Sequence, residues 1–199
     1  MSRLRDVPAY DAAVLAGGAG RRMGGIDKCA LRVGGVRLLD HVVGGLAAER
    51  VVVVGPRRPM AAPVEWAREH PPGGGPVAAL ATGLAVLGVD GCDVVAVLAG
   101  DAPYAAGSVP RLMAALAGHE AALLVDADGH VQPLVAAYDR DALGRVLAGL
   151  PATSGAPMRR VVDALDHVRV PGRGDEALDC DDVGALARAR SVWEERHGA

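Results

Sequence analysis

Phenylalanine is absent from this 199-residue chain, and aromatic residues of all kinds make up only 3%. A core without large rings has to be filled by Val, Leu and Ala. Cysteine is scarce: Cys29, Cys92 and Cys180 lie far apart, are odd in number and form no CxxC pair. That pattern argues against a zinc site or a disulfide framework and reads as reduced thiols. No apolar run approaches the ~20 residues that span a membrane. Met1 to Tyr10 mixes charge with Pro and offers no apolar signal-peptide segment. The expectation is a soluble, cytoplasmic protein with no membrane partner. Long basic runs are missing as well, and the formal net charge is -3. A nucleic-acid partner is therefore not expected, because such surfaces cluster Lys and Arg against several phosphates. The six histidines show no metal-ligand spacing, and no Ser-His-Asp or Cys-His nucleophile arrangement emerges.

What is present is apolar and periodic. Hydrophobic residues make up 51% of the chain, enough for a real core, and residues 1–199 read as one domain. Strand-like runs cover Ala12 to Ala16, Arg50 to Val54 and Asp93 to Leu98; near-continuous apolar runs of this kind suit parallel strands buried on both faces. Helices are expected over Arg37 to Ala48, from Pro76 to Leu87, and from an N-cap at Ser108 through Ala117. Ala121 to Val125 and Val131 to Ala136 flank Asp126-Ala127-Asp128-Gly129-His130, which reads as a hairpin connection. Arg140 to Leu150 and Pro157 to Leu165 suit helices, Val168 to Val170 and Ala177 to Cys180 short strands, and Val183 to His197 a closing helix. This alternation predicts an α/β fold: a mostly parallel central sheet with helices on both faces, three layers in all. Ligands of such sheets bind beyond the carboxyl ends of the strands.

The segment after the first strand carries the most chemistry. It reads Leu15-Ala16-Gly17-Gly18-Ala19-Gly20-Arg21-Arg22-Met23-Gly24-Gly25-Ile26-Asp27-Lys28. Glycines let successive amides point at one anion, and Arg21, Arg22 and Lys28 supply the charge a polyphosphate requires. It is not a P-loop, since Lys28 is followed by Cys29 and not by Ser or Thr. It is not a dinucleotide fingerprint either, because Met23 stands where the third glycine belongs. A second polar segment, Gly100-Asp101-Ala102-Pro103, follows the strand ending at Leu98; a carboxylate there suits Mg²⁺ bound with phosphate oxygens.

In its LAGG, RMGG and DK parts, in that order and spacing, the loop resembles the opening signature of the molybdenum cofactor guanylyltransferase family. The resemblance extends over nearly the whole chain. It implies a Rossmann-like nucleotidyltransferase that moves GMP from GTP to the molybdopterin form of molybdenum cofactor, with Mg²⁺ and release of pyrophosphate. It also implies contact with other enzymes of molybdenum cofactor biosynthesis or with target enzymes. Residues so implied to hold the nucleotide are Leu15, Ala16, Gly17, Gly18, Gly20, Arg21, Gly24, Lys28, Gly75 and Asp101. Lys28 and Arg22 are the implied catalytic cations, and Asp101 and Asp181 the implied metal ligands, with Asp179 an alternative to Asp181. Gly73-Gly74-Gly75-Pro76 resembles the family's Gly-Pro-Leu-Ala-Gly segment near base and ribose, and Gln132-Pro133 its acceptor-facing pair.

Departures are equally visible. Gly55-Pro56-Arg57-Arg58 replaces the family's Asn-Ala-Asn-Arg, Ala102 replaces a Thr, and Thr-Pro-Glu-Asp is lost after Asp181. Asp181 or Asp182 could equally cap the closing helix. Other readings of the same loop are transfer to a sugar phosphate, a phospholactate or a cytidylyl-type cofactor substrate, and a nucleotide-binding homologue that no longer transfers. The preference for GTP is expected from Leu15-Ala16-Gly17-Gly18 and from the backbone groups of Gly73 to Gly75.

Overall fold

Asp11–Leu15 (β1) is buried at every position, so both of its faces meet helices. A computed structural model describes residues 8–18 and 24–198 of the chain. Parallel to β1 on one side runs Val51–Val54 (β4), and beyond it Glu65–Ala67 (β5). On its other side lies Val94–Ala99 (β6), also parallel. Ala121–Val125 (β7), Val131–Asp139 (β8) and His167–Pro171 (β9) complete a seven-stranded sheet of order β5-β4-β1-β6-β8-β7-β9. Only β8 runs against its neighbours within this sheet. The direction of chain progress reverses at β1, and a crevice opens at such a reversal beyond the strands' carboxyl ends.

The pleat divides the core. Ala12, Val14, Ala96 and Leu98 face Leu38–Gly44 (α1) and Val109–Ala115 (α3). Ala13, Leu15, Val95 and Val97 face Pro76–Leu87 (α2), Arg140–Gly149 (α4) and Arg159–Val162 (α5). Alanines in the strands allow the helices to lie close, which is how a core without Phe reaches interior density. Val183–His197 (α6) packs on a two-stranded ribbon, Arg32–Val33 (β2) with Val36–Arg37 (β3), through Val33, Leu38, Leu186 and Ala189.

Most expected elements are present, and their differences have local causes. α1 begins one residue late because Arg37 belongs to the ribbon, and it ends at Gly44, where the Gly45 N–H closes on His41. β5 was not expected: three residues at a sheet edge leave no readable period. Residues 177–180 form no strand; they cross over the sheet, and the Cys180 N–H donates to the Asp101 carbonyl at 3.0 Å. The helix expected over 157–165 shrinks to α5, entered through a tighter turn from Pro157. Ser108 precedes α3 but does not cap it, since its hydroxyl donates to the Ala105 carbonyl instead. The chain enters α3 from a 3₁₀ turn over Ala105–Ser108 and is already helical there.

Candidate active site

The carboxyl ends of β1, β5 and β6 release loops that together form one crevice, with the end of β4 packed beside that of β1. Leu15, Gly17 and Gly18 after β1, Glu69, Gly73 and Gly75 after β5, and Asp101 after β6 line a cavity of about 450 Å³. Ala16 and Lys28 border a small pocket of about 70 Å³ with Gly17 and Gly18. Gly24 lies further out and is exposed, with φ +66°. Gly20, Arg21 and Arg22 fall outside the described residues. The remaining expected nucleotide residues are thus gathered at one edge of the sheet.

Glycine is required at two points of this edge. Gly55 has φ +153°, and a Cβ there would lie 2.6 Å from the Ala16 carbonyl carbon and oxygen. The end of β4 can therefore pass against the end of β1 only without a side chain. Gly75 opens α2 with φ +90° and leaves the cavity side of that helix start bare. Its backbone neighbour Gly74 is held by the Gly155 N–H, which donates to the Gly74 carbonyl at 2.7 Å.

Lys28 begins a 3₁₀ turn, Lys28–Ala30, and its Nζ sits 3.7 Å from Asp101 Oδ2. Both side chains are partly covered, with exposures of 19% and 24%, so each still reaches solvent. Lys28 is also the chain's single lysine; its other 20 basic residues are arginines. A compact ammonium, not a planar fork, stands at this one place. Asp101 holds the Cys180 amide through its backbone carbonyl, which brings Asp179 and Asp181 over the same edge. Burial, followed by the charges of Asp181 and Asp101, pushes the Asp179 carboxyl above the usual carboxylate value. The residue that caps α6 is Asp182, whose Oδ1 accepts from the Ala185 N–H at 2.8 Å; Asp181 is not the cap.

Cys29 and Cys180, close to this edge, are buried and pushed up to about 12, chiefly by burial. They stay protonated and are poor nucleophiles. Asp126, Asp128 and His130 come together at the tip of the β7–β8 hairpin, on the same edge of the sheet as the end of β6, and Asp126 is spent on the turn's own amides and on Gln132.

A second cavity of about 230 Å³ adjoins the first and shares Ala99, Asp101 and Leu134 with it. Gln132, Pro133, Met158 and Asp179 line its far side. Its shape comes from an irregularity in β8. Leu124 pairs with Gln132 while Leu123 pairs with Ala136, so Pro133, Leu134 and Val135 bulge from the ladder to β7. The Gln132 amide is fixed by Asp126 at 2.8 Å, and the Pro133 carbonyl by the Tyr138 hydroxyl at 2.8 Å.

Sequence reasoning missed Glu69. This carboxylate is 8% exposed; Oε1 accepts the Gly73 N–H at 2.9 Å, and Oε2 is buried with no partner. Both oxygens lie close to Gly17, at 3.6 and 3.8 Å from where a Cβ would be. A buried carboxylate that faces a cavity with one orphaned oxygen is costly, and the cost is repaid only when a donor arrives. The clue in the sequence was an acid set directly before a Pro/Gly-rich loop, Glu69-His70-Pro71-Pro72-Gly73-Gly74-Gly75.

The chain is similar to known proteins. The family model of the MobA-like NTP transferase domain matches residues 12–169. A molybdenum cofactor guanylyltransferase from Acidiphilium cryptum is 34% identical over 69% of this chain and 72% of its own length. A probable molybdenum cofactor guanylyltransferase from Mycobacterium bovis is 34% identical over 79% of this chain and 81% of its own. The crystal structure of molybdopterin-guanine dinucleotide biosynthesis protein A from Archaeoglobus fulgidus superposes with a TM-score of 0.68 at 21% identity. It covers 93% of this chain and 99% of that one.

Proposed function

The chain belongs to the MobA-like NTP transferase family and is a nucleotidyltransferase, and from that premise we propose that it transfers GMP from GTP to the molybdopterin form of molybdenum cofactor. The observation that carries the reading is the pair of adjoining cavities with Asp101 in their common wall. A donor nucleotide and a phosphorylated acceptor need to meet head to head, and two cavities sharing a carboxylate supply that meeting point.

The larger cavity would take the nucleotide. Gly17 and Gly18 leave room for phosphates beside Lys28, and Glu69 lines the same cavity beside Gly17. Guanine presents an N1–H and a 2-amino group side by side, two donors that match a carboxylate; adenine and cytosine do not present that pair. The orphaned Oε2 of Glu69 supports guanine for this reason. Glu69 thus supplies a side-chain reader where the glycine backbone was expected to act alone.

The smaller cavity would take the acceptor, with Gln132, Pro133 and Met158 on its wall. An acceptor phosphate oxygen placed there attacks the α-phosphorus in line, and pyrophosphate leaves toward the glycine loop. Lys28 stabilises the charge that builds on the α-phosphate, and the described thiols are too protonated to form a covalent intermediate. Arg21 and Arg22 remain proposed phosphate contacts on sequence alone.

Asp101, at the strand end where both cavities meet, offers the hard carboxylate oxygen that a divalent cation such as Mg²⁺ takes together with phosphate oxygens. When bound, the ion would neutralise phosphate charge and orient the α-phosphate. Asp101 is the proposed ligand shared by both cavities, with Asp181 or Asp179 as its companion. Other enzymes of molybdenum cofactor biosynthesis, or its target enzymes, are the proposed protein partners.

The test is pyrophosphate release with GTP, ATP and CTP, each offered with the molybdopterin form of the cofactor and with sugar phosphates. Release only with GTP and the molybdenum-bearing acceptor is expected. Faster release with CTP or with a sugar phosphate would refute the assignment.

A further inference from the structure

Arg58 lies in the loop after β4, in a stretch that the nucleotide reading leaves without a task. Its side chain is 10% exposed, and its guanidinium bonds to three separate pieces of the site. Nε and Nη2 grip both Asp27 oxygens, at 2.8 and 2.7 Å. Nη2 also donates to the Ala16 carbonyl at the end of β1, at 3.2 Å. Nη1 donates to the Pro56 carbonyl at 2.8 Å. A guanidinium carries five N–H donors, so these bonds leave about one unspent. Its neighbour Arg57 is exposed.

We propose that Arg58 is a positioning residue: it locks Asp27 to the end of β1 and thereby sets where the Lys28 ammonium stands. What Lys28 does there rests on the nucleotidyl-transfer reading. Asp27 is the residue before Lys28, and its carbonyl accepts the Ala30 N–H that closes the turn carrying Lys28. Fixing the Asp27 carboxylate therefore fixes the stem from which Lys28 projects. A planar two-pronged grip resists rotation as a single ammonium contact does not.

The pair also settles the charges. With Asp27 occupied by Arg58, Asp101 is the acidic partner within ion-pair range of Lys28 among the described residues. Removing Arg58 frees a carboxylate one residue from Lys28, where it competes with phosphate for the same cation. A direct phosphate role for Arg58 fits poorly, since its donors are already engaged.

The single lysine makes the test direct. Isotopically labelled lysine gives one side-chain signal, that of Lys28, in magnetic resonance of the intact protein. Wild type is compared with Arg58→Met, Asp27→Asn, the double variant, and Arg188→Met, an exposed arginine of α6 serving as charge-matched control. Thermal unfolding of the same samples reports folding. In the free protein the signal is expected to shift or split in Arg58→Met and in Asp27→Asn. It should move no further in the double variant, because both substitutions break one contact. It should stay in place in Arg188→Met. An unmoved Lys28 signal in folded Arg58→Met, or displacements that add in the double variant, overturns the proposal. If Arg58→Met does not fold, Asp27→Asn decides the matter by the same criterion.

Kinetics give the second readout. Loss of positioning should lower kcat roughly 100-fold with little change in KM for GTP; an unchanged kcat refutes the idea. Adding GTP with Mg²⁺ separates the two claims. A wild-type Lys28 signal that ignores GTP sinks the guanylyl reading, while the free-protein comparison still judges Arg58.

Discussion

Replacing Glu69 by Gln should make the protein more stable and the nucleotide site worse. The side chain keeps its shape, and its remaining oxygen can still accept the Gly73 N–H. What changes is the orphaned Oε2, which loses its charge and becomes a donor. In the free protein a buried unpaired acceptor costs about 1–3 kcal/mol, and more when charged. The amide that replaces it is still unpaired, so the part of that cost due to the charge is relieved, which should raise Tm by about 2–4 °C for each kcal/mol regained in a chain of this length.

With GTP the sign reverses. A hydrogen bond to a charged partner contributes about 1.5–3 kcal/mol, and each 1.4 kcal/mol is about tenfold in affinity. GTP should therefore bind roughly 10- to 150-fold more weakly to Glu69→Gln. ITP, whose base keeps N1–H and lacks the 2-amino group, sharpens the assay. Wild type should prefer GTP over ITP, and the variant should lose most of that preference. Calorimetric titration with Mg²⁺ measures both, and thermal unfolding without nucleotide measures the other sign. A variant that binds GTP like wild type, or that melts lower, would refute the reasoning. Either result would mean that Glu69 only staples its own loop through Gly73.

Lys28→Arg should lose transfer nearly as fully as Lys28→Ala, by about 100-fold or more, since one contact to a developing anion is worth roughly 3 kcal/mol and a planar fork does not replace a point charge. Near-normal turnover in Lys28→Arg would remove the argument for a lysine. Asp101→Asn should flatten the dependence of activity on Mg²⁺ concentration, because it deletes a hard anionic ligand and keeps the shape; an unchanged Mg²⁺ curve would leave Asp101 as a turn residue before Pro103. Asp27 is held below the usual carboxylate range, first by the Arg58 hydrogen bonds. The stability it lends is present above the ordinary carboxylate value and is lost as pH falls through the lowered one. Acid titration of the Lys28 signal should therefore show its break at lower pH in wild type than in Arg58→Met.

The fold was legible where a segment is buried on both faces. β1, β4 and β6 read as apolar runs because helices cover them twice, and α2 was marked at its start by Pro76 after Gly75. Elements at the periphery were not legible. β5 is short and half-exposed, and the β2–β3 ribbon acquires its apolar partner only when α6 arrives from the far end of the chain. Residues 177–180 look like a strand because Leu178 and Cys180 are covered, yet what covers them is the ribbon cluster and not a sheet neighbour. Alternating burial predicts a strand only when the partner is another strand.

The site divides along a similar line. Residues that act through backbone or by sitting on a strand end, such as Gly17, Gly18, Gly75 and Asp101, could be read from their local motif. Glu69 and Arg58 could not, because their meaning is set by partners far along the chain. Glu69 matters because Gly17, 52 positions earlier, comes to face it. Arg58 matters because Asp27 and Ala16 converge on it across 31 and 42 positions. Both lie in loops after β4 and β5, the strands next to β1 on the side of the sheet that the opening motif does not specify. The glycine loop is thus half of the proposed site, and the neighbouring strand ends supply Glu69 and Arg58, the residues proposed to read the base and to fix the lysine. Transplanting residues 15–28 alone onto another sheet would carry over the phosphate cradle without the Arg58 lock or the Glu69 acceptor. The nucleotide grip should then be weak and blind to the base.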